Sequence, residues 1–323
     1  MLKKNPTVKK VFEAPTVVSL FSGAGGIDLG LKQAGLNILW AVDNDFDSVQ
    51  TYKKNISAHA ICEDIVKVKS KDIPKADLVI GGFPCQGFSL ANRFRNTGDD
   101  RNTLYLEMLR IVKDLQPKWF IAENVKGILS LGEGKVIEKI VKDFSRVGYR
   151  VKYQLVNMAD HGVPQLRKRV LILGTRKDLP EELNLVHPEP KYSKEGKLGK
   201  KKWVSIQEAL TPIEKSKKTL PNSVGSQYKV EYRNFTGHRQ TDPNEPSPTI
   251  LARGNGKGGV CAIPHPNGKR RLTIRESASV QTFPLNFEFI GSNSSMYRQI
   301  GNAIPVLYGK KLGEVILKLT KEK

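Results

Sequence analysis

Short apolar runs and stretches with helical spacing alternate along the first half of the chain. Val17-Val18-Ser19-Leu20-Phe21 has the length of a buried strand. After Ser22-Gly23-Ala24-Gly25-Gly26, apolar residues recur at helical spacing from Ile27 to Ala34. Leu39 to Val42 predicts a second strand ending at Asp43-Asn44-Asp45, and helical spacing resumes through Val49, Tyr52 and Ile56. Further strands are predicted at residues 60–62, 78–80, 118–122, 149–156 and 169–174, with an amphipathic helix over Thr103 to Leu115. Strands alternating with helices predict an α/β fold with a mainly parallel sheet.

After Thr175 the pattern dissolves. From Arg176 to about Lys269 prolines, lysines and glycines dominate, with lysine clusters at residues 200–202 and 215–218. Trp203, Ile206, Leu210, Tyr228, Tyr232, Phe235 and Ile250 would be costly to leave in water, so a smaller, irregular unit with short strands is expected rather than a disordered insert. Order returns at Thr273, which with Glu276 has the capping-box spacing of a helix start. A last helix is predicted from Pro305 to Leu319, after Gly301-Asn302-Ala303-Ile304. The expected division is residues 1–176, 177–290 and 291–323, the last returning to the first.

Composition narrows the partner. The 323 residues carry 53 Lys and Arg against 32 Asp and Glu, a formal net charge of +21, which favours a polyanion. The three cysteines, Cys62, Cys85 and Cys261, are far apart and lack histidine companions, so neither a disulfide framework nor a metal site is expected. Met1 to Lys10 is basic but not followed by an apolar core, and no apolar run has membrane length. A cytoplasmic location is expected.

Candidate chemistry gathers at predicted strand ends. A strand, a glycine turn and a helix make a nucleotide-cofactor signature or an ordinary tight turn, because glycines admit a ligand to the backbone while helix N–H groups face a negative group. Asp43, about twenty residues on, has the position of a ribose-binding carboxylate, and Asp64 that of an adenine contact or a helix cap. Gly81 to Ser89 presents Cys85 after a strand, two glycines and a proline, as a nucleophile or as a buried cysteine in a turn. Residues 86–101 read as a lid loop. Glu123 ends the fifth strand on the same rim, placed as a proton donor or as a surface carboxylate. Arg167 and Arg169, in a half-extended segment, are expected on one face.

These motifs, in this order, resemble the cytosine-C5 DNA methyltransferase family that uses S-adenosylmethionine. The matching pieces are Phe21 to Gly26, Asp43, Asp64, Gly82 to Ser89, Glu123-Asn124-Val125, Gln165 to Arg169, Arg275-Glu276-Ser277 and Gly301-Asn302-Ala303, together spanning roughly residues 17–316. The resemblance implies a Rossmann-like catalytic domain with a target-recognition domain inserted before Arg275. It implies that Cys85 adds to cytosine C6, that Glu123 holds or protonates N3, and that Arg167 lies near O2 and the thiol, with Arg169 structural or on a phosphate.

For the cofactor it implies Phe21 on the adenine, Gly23, Gly25 and Gly26 at the methionine moiety, Asp43 at the ribose and Asp64 with Ile65 at the adenine edge. Pro84, Leu104 and Asn302 match further cofactor positions. Asn44 departs from members that carry a large aromatic there. Gln86, Ser89 and Arg101 are the expected DNA contacts of the closing loop. The implied partners are duplex DNA, with the target base flipped out, and a cognate restriction endonuclease as genetic partner; the chain is expected to be a monomer associated with the nucleoid. A tRNA-modifying branch of the family and a non-catalytic DNA binder are the competing readings. A nicotinamide dehydrogenase competes at the glycine turn alone, and the Pro-Cys-Gln segment removes it.

Overall fold

The computed structural model describes residues 13–84, 104–226, 230, 240–252 and 263–321. Cys85, Gln86, Ser89 and Arg101, with the whole 86–101 loop, lie outside the described residues. Within them, β1 (Thr16–Leu20), β2 (Asn37–Asp43), β3 (Ala60–Cys62), β4 (Leu78–Gly81), β5 (Trp119–Val125), β6 (Tyr149–Asn157) and β7 (Lys168–Arg176) form one sheet in the order β3-β2-β1-β4-β5-β7-β6. β7 alone runs antiparallel to its neighbours β5 and β6.

Alternate strand residues serve opposite faces, and both faces are covered. Val17, Ile80 and Ile121 join one buried cluster while Val18, Val79 and Phe120 join the other. That is why these strands read as unbroken apolar runs instead of alternating ones. On one face lie α3 (Leu104–Leu115) and α4 (Lys135–Arg146), through Met108, Ile111, Ile140 and Phe144. Phe120 stacks on Phe144 with ring centroids 4.3 Å apart and meets Tyr149 edge-on at 5.2 Å. The other face receives α1 (Gly26–Ala34) and α8 (Val306–Lys321). These two helices touch backbone to backbone: a Cβ at Gly30 would collide with the Val306 carbonyl, and one at Gly309 would stand 2.5 Å from the Ile27 oxygen. The C-terminal helix is thereby locked to the helix that follows the glycine turn.

Between β2 and β3 runs α2 (Phe46–Asn55). The lysine-rich region contributes the two-residue parallel pair β8 (Tyr192–Ser193) and β9 (Lys201–Lys202), and α5 (Ile206–Glu214), started by a capping box between Ser205 and Glu208. Ile206, Leu210, Ile250 and Ile263 join the same cluster as Val17 and Leu31. Then come α6 (Ile274–Val280), capped by Thr273 and Glu276 as the spacing predicts, and α7 (Asn293–Asn302). The sequence pattern predicts neither α4, α5 nor α7. Among the described residues no helix is long and apolar enough to cross a membrane.

Candidate active site

The parallel strands β1, β2 and β4 end at one rim, where a cleft of about 840 Å³ opens. Its floor is the turn after β1. Phe21 and Gly23 take left-handed backbone angles (φ 52° and 53°), and Gly25 (φ 78°) is the N-cap of α1. At Gly23 nothing lies within 4 Å of where a Cβ would stand, so bare backbone faces open space. At Gly26 a Cβ would collide with the Ile304 carbonyl and stand 3.0 Å from the Ala303 Cβ. The turn and the Asn302 segment are therefore in contact. Gly25 is buried beneath them, where a Cβ would stand 2.7 Å from the Tyr52 ring.

β2 continues one residue further than the apolar pattern predicts, and this changes the role of its carboxylates. Asp43 accepts from the Gly23 N–H at 2.8 Å and the Asp45 N–H at 2.9 Å, one bond on each oxygen. Burial raises its pKa despite those bonds. It braces the turn. Asp45 caps α2, accepting from the Ser48 N–H (2.9 Å) and hydroxyl (2.7 Å), and its second oxygen takes a bond from Arg298 at 2.8 Å. Burial pushes the Asp45 carboxyl up, but Ser48 and Arg298 together hold it below its usual value. Asp45 lines the cleft, and Phe46, the next residue, is 64% exposed. Neither is among the residues expected from the sequence. The signal was the second acidic residue of Asp43-Asn44-Asp45, which stands where a helix cap belongs.

Phe21, Gly23, Gly26, Asp43, Asn44, Asp64, Ile65, Pro84, Leu104 and Asn302 all line this cleft. Asp64 caps a short 3-10 turn through the Val66 N–H (3.1 Å), and Ile65 is buried behind it. An aromatic ring, open backbone and carboxylates at two neighbouring strand ends suit a nucleoside: the ring for a base, the carboxylates for hydroxyl and amino donors.

The opposite wall carries the acid. Glu123 stands on β5 beside Gly82, where a Cβ would lie 3.1 Å from its carboxylate oxygen. Its neighbour Asn124 donates to the Phe83 carbonyl at 3.0 Å, fixing the backbone two residues before Cys85. Arg169 Nε lies 2.9 Å from Glu123 Oε1, each side chain 13% exposed. Burial raises the Glu123 pKa, and Arg169 and then Arg167 pull it back without cancelling the rise. Among the described residues no group of three or more His, Cys, Asp or Glu is arranged to hold a metal.

The two arginines do not share a face. Arg167 is fully buried and does not line the cleft; it donates to the Ile250 carbonyl (3.0 Å) and the Gly301 carbonyl (2.8 Å). Arg169 lines the cleft. The two-residue period fails because residues 163–167 are not extended: the Gln165 N–H bonds the Val163 carbonyl and the Arg167 N–H the Gln165 carbonyl, tight turns that end where β7 begins.

A family model described as C-5 cytosine-specific DNA methylase matches residues 15–318. Type II methyltransferase M.NgoFVII of Neisseria gonorrhoeae is 37% identical over 316 residues, covering 90% of this chain and 83% of that protein. M.FnuDI of Fusobacterium nucleatum is also 37% identical, covering 95% of this chain and 94% of that one. In fold, the chain is similar to the crystal structure of S. pombe Dnmt2 methyltransferase, with a TM-score of 0.69 at 22% identity over 94% of this chain and 98% of that one. The Entamoeba histolytica methyltransferase EhMeth has a TM-score of 0.70 at 16% identity, covering 95% of this chain and 99% of that one.

Proposed function

We propose, for a chain that belongs to the C-5 cytosine-specific DNA methylase family and is a DNA cytosine-C5 methyltransferase, that it attacks a flipped-out cytosine through Cys85 while Glu123 and Arg169 hold the base. The observation that carries this reading is the Glu123–Arg169 pair at 2.9 Å, on the wall whose Asn124 anchors the segment leading to Cys85. Cytosine C5 is a poor nucleophile, so the Cys85 thiolate adds to C6 and the C5=C6 electron pair shifts toward N3 and O2. Glu123, its pKa raised by burial, delivers a proton to N3, and Arg169 donates to the developing charge at O2. The resulting enamine is nucleophilic at C5. S-adenosylmethionine, the family's methyl donor, would supply an electrophilic sulfonium methyl group in the cleft. Loss of the C5 proton then expels the thiolate and restores the double bond.

Arg167 is reassigned from substrate to scaffold, because it is fully buried, does not itself line the cleft and spends its bonds on the backbone carbonyls of Ile250 and Gly301. Asp45, whose side chain is 33% exposed at the cleft, takes the ribose role expected of Asp43, which is desolvated by burial and braces the glycine turn. Phe21 would meet the adenine, and the exposed Phe46 supplies the aromatic that Asn44 lacks. Residues 177–290 would read the target sequence, and extrusion of the base costs a few kcal/mol that DNA contacts must offset. The Type II relatives support a modification role beside a cognate restriction endonuclease.

Tritium transfer from labelled S-adenosylmethionine to duplex DNA tests the reading. Cys85→Ala should abolish it, and DNA containing 5-fluorocytosine should trap a covalent adduct with the wild-type protein alone. Normal methylation by Cys85→Ala would sink the mechanism, and labelling of tRNA in preference to DNA would redirect the substrate.

A further inference from the structure

Arg298 is a cleft residue to which the reading above gives no role. It comes from α7, more than 250 residues beyond the glycine turn in sequence, yet lines the cleft together with Asp45. Its Nη2 donates to Asp45 Oδ2 at 2.8 Å and to Ser295 Oγ at 3.3 Å on its own helix. The other Asp45 oxygen is already fixed by the N–H and hydroxyl of Ser48. The carboxylate is thus gripped on both sides, and rotation about its Cβ–Cγ bond would break one grip or the other. An ionised carboxylate offers about four lone-pair sites. Three of these bonds use the inner oxygen and one side of the outer, which leaves an acceptor direction on Oδ2 for a further donor.

We propose that Arg298 is a positioning residue for the cofactor: it holds the Asp45 carboxylate in the orientation whose remaining Oδ2 lone pair accepts from a ribose hydroxyl. The proposal rests on the assignment of Asp45 to the ribose. A ribose hydroxyl binds best to a carboxylate whose free lone pair is already aimed, and Arg298 supplies that aim without spending binding energy on ordering Asp45 at each encounter. It also makes cofactor affinity depend on the seating of α7, which follows the recognition region in the chain.

The test compares three probes on wild type, Arg298→Met, Arg298→Lys and Asp45→Asn: S-adenosylhomocysteine, methylthioadenosine, which lacks the amino-acid moiety, and the 2′,3′-dideoxy form of methylthioadenosine. Arg298→Met should weaken the first two equally, by about fivefold, the upper range for a partly exposed ion pair, and leave the dideoxy probe unchanged. The cofactor KM should rise with kcat held at saturation, and Arg298→Lys should recover part of the loss. Weakening of S-adenosylhomocysteine alone would mean that Arg298 touches the amino-acid end, and overturns the proposal. Equal weakening of the dideoxy probe, or no change with any probe, also overturns it. If Asp45→Asn keeps the full preference for the diol over the dideoxy probe, the ribose assignment itself fails. If Asp45→Asn loses that preference and Arg298→Met keeps it, the positioning role alone fails.

Discussion

Removal of Arg169 should make the protein's stability depend on pH through Glu123. At 2.9 Å, with each side chain 13% exposed, the pair's attraction is about 6 kcal/mol at an effective dielectric of about 20. Arg169→Met does not lose all of that, because Glu123 escapes by taking up a proton and water enters the gap; breaking one side of a buried pair costs about 3–5 kcal/mol. The sign follows from burial, which already raises the Glu123 pKa above its ordinary 4.5 against the pull of Arg169 and Arg167. Without Arg169 it rises further. The native state then holds a proton that the unfolded chain has released, so stability falls as pH rises from 4.5 through the native pKa. Urea denaturation at pH 5, 6, 7 and 8 should find Arg169→Met close to wild type at the acid end, with the gap widening toward pH 8. In a Glu123→Gln background the same substitution should lose that pH dependence. A constant gap across the range, or an unchanged gap with Gln at 123, would refute the coupling.

Gly26→Ala drives a Cβ into the Ile304 carbonyl, which should cost about 1–3 kcal/mol as overpacking and weaken S-adenosylhomocysteine binding; unchanged melting and affinity would contradict the contact. His161 and His187 are both pushed down to about 4 by burial, so the unfolded chain binds their protons first and stability falls as pH drops from about 6.5 to about 4. His161, 4% exposed, contributes up to about 3 kcal/mol of that fall, and His161→Phe should flatten the profile in that window. The net charge of +21 predicts that DNA affinity falls steeply and linearly in log–log form with salt; fluorescence anisotropy with a flat salt response would remove phosphate contact as the source of binding.

The catalytic half was legible because its strands are buried on both faces and end at glycines and acids, which makes both period and punctuation visible. β3 carries its predicted bounds, and β1 and β4 differ by a residue. α4 was legible in principle through Ile137, Ile140 and Phe144, but it starts after Gly132 to Gly134 without a polar cap side chain, so no start signal marks it. α7 is marked only by the Ser292 cap and is otherwise polar, with Met296, Tyr297 and Ile300 as its buried apolar positions. The Asp45–Arg298 pair at the cleft was not legible for a different reason. Each is defined by the other, across 253 positions of sequence, and no local pattern encodes such a pair.

The different placements of Arg167 and Arg169 follow from where the lysine-rich region enters the chain. An insertion between β7 and α6 separates the strand that carries Arg169 from the helix that ends at Asn302, so something must hold the two together after the chain returns. Apolar packing cannot do this alone, because the facing groups are backbone carbonyls, which need donors when buried. Arg167 and Gln281 provide them, with Gln165 holding Gln281 in place. Gln165 donates to Gln281 Oε1 at 2.9 Å and accepts from the Ile250 N–H at 2.9 Å; Arg167 bonds Ile250 and Gly301; Gln281 bonds the Ile300 carbonyl at 2.6 Å and the Ala303 carbonyl at 3.1 Å. A buried guanidinium satisfied by carbonyls is a costly way to gain stability but a specific way to set register. Here the register brings Leu251 and Ala252, the last described residues before 263, onto the wall of the cleft beside Asn302. The tight turns at residues 163–167 are what let one arginine serve this clasp while the next but one reaches Glu123. Had the segment been extended, as its sequence suggests, both guanidinium groups would compete for one side and residues 250–252 would have no anchor at the cleft.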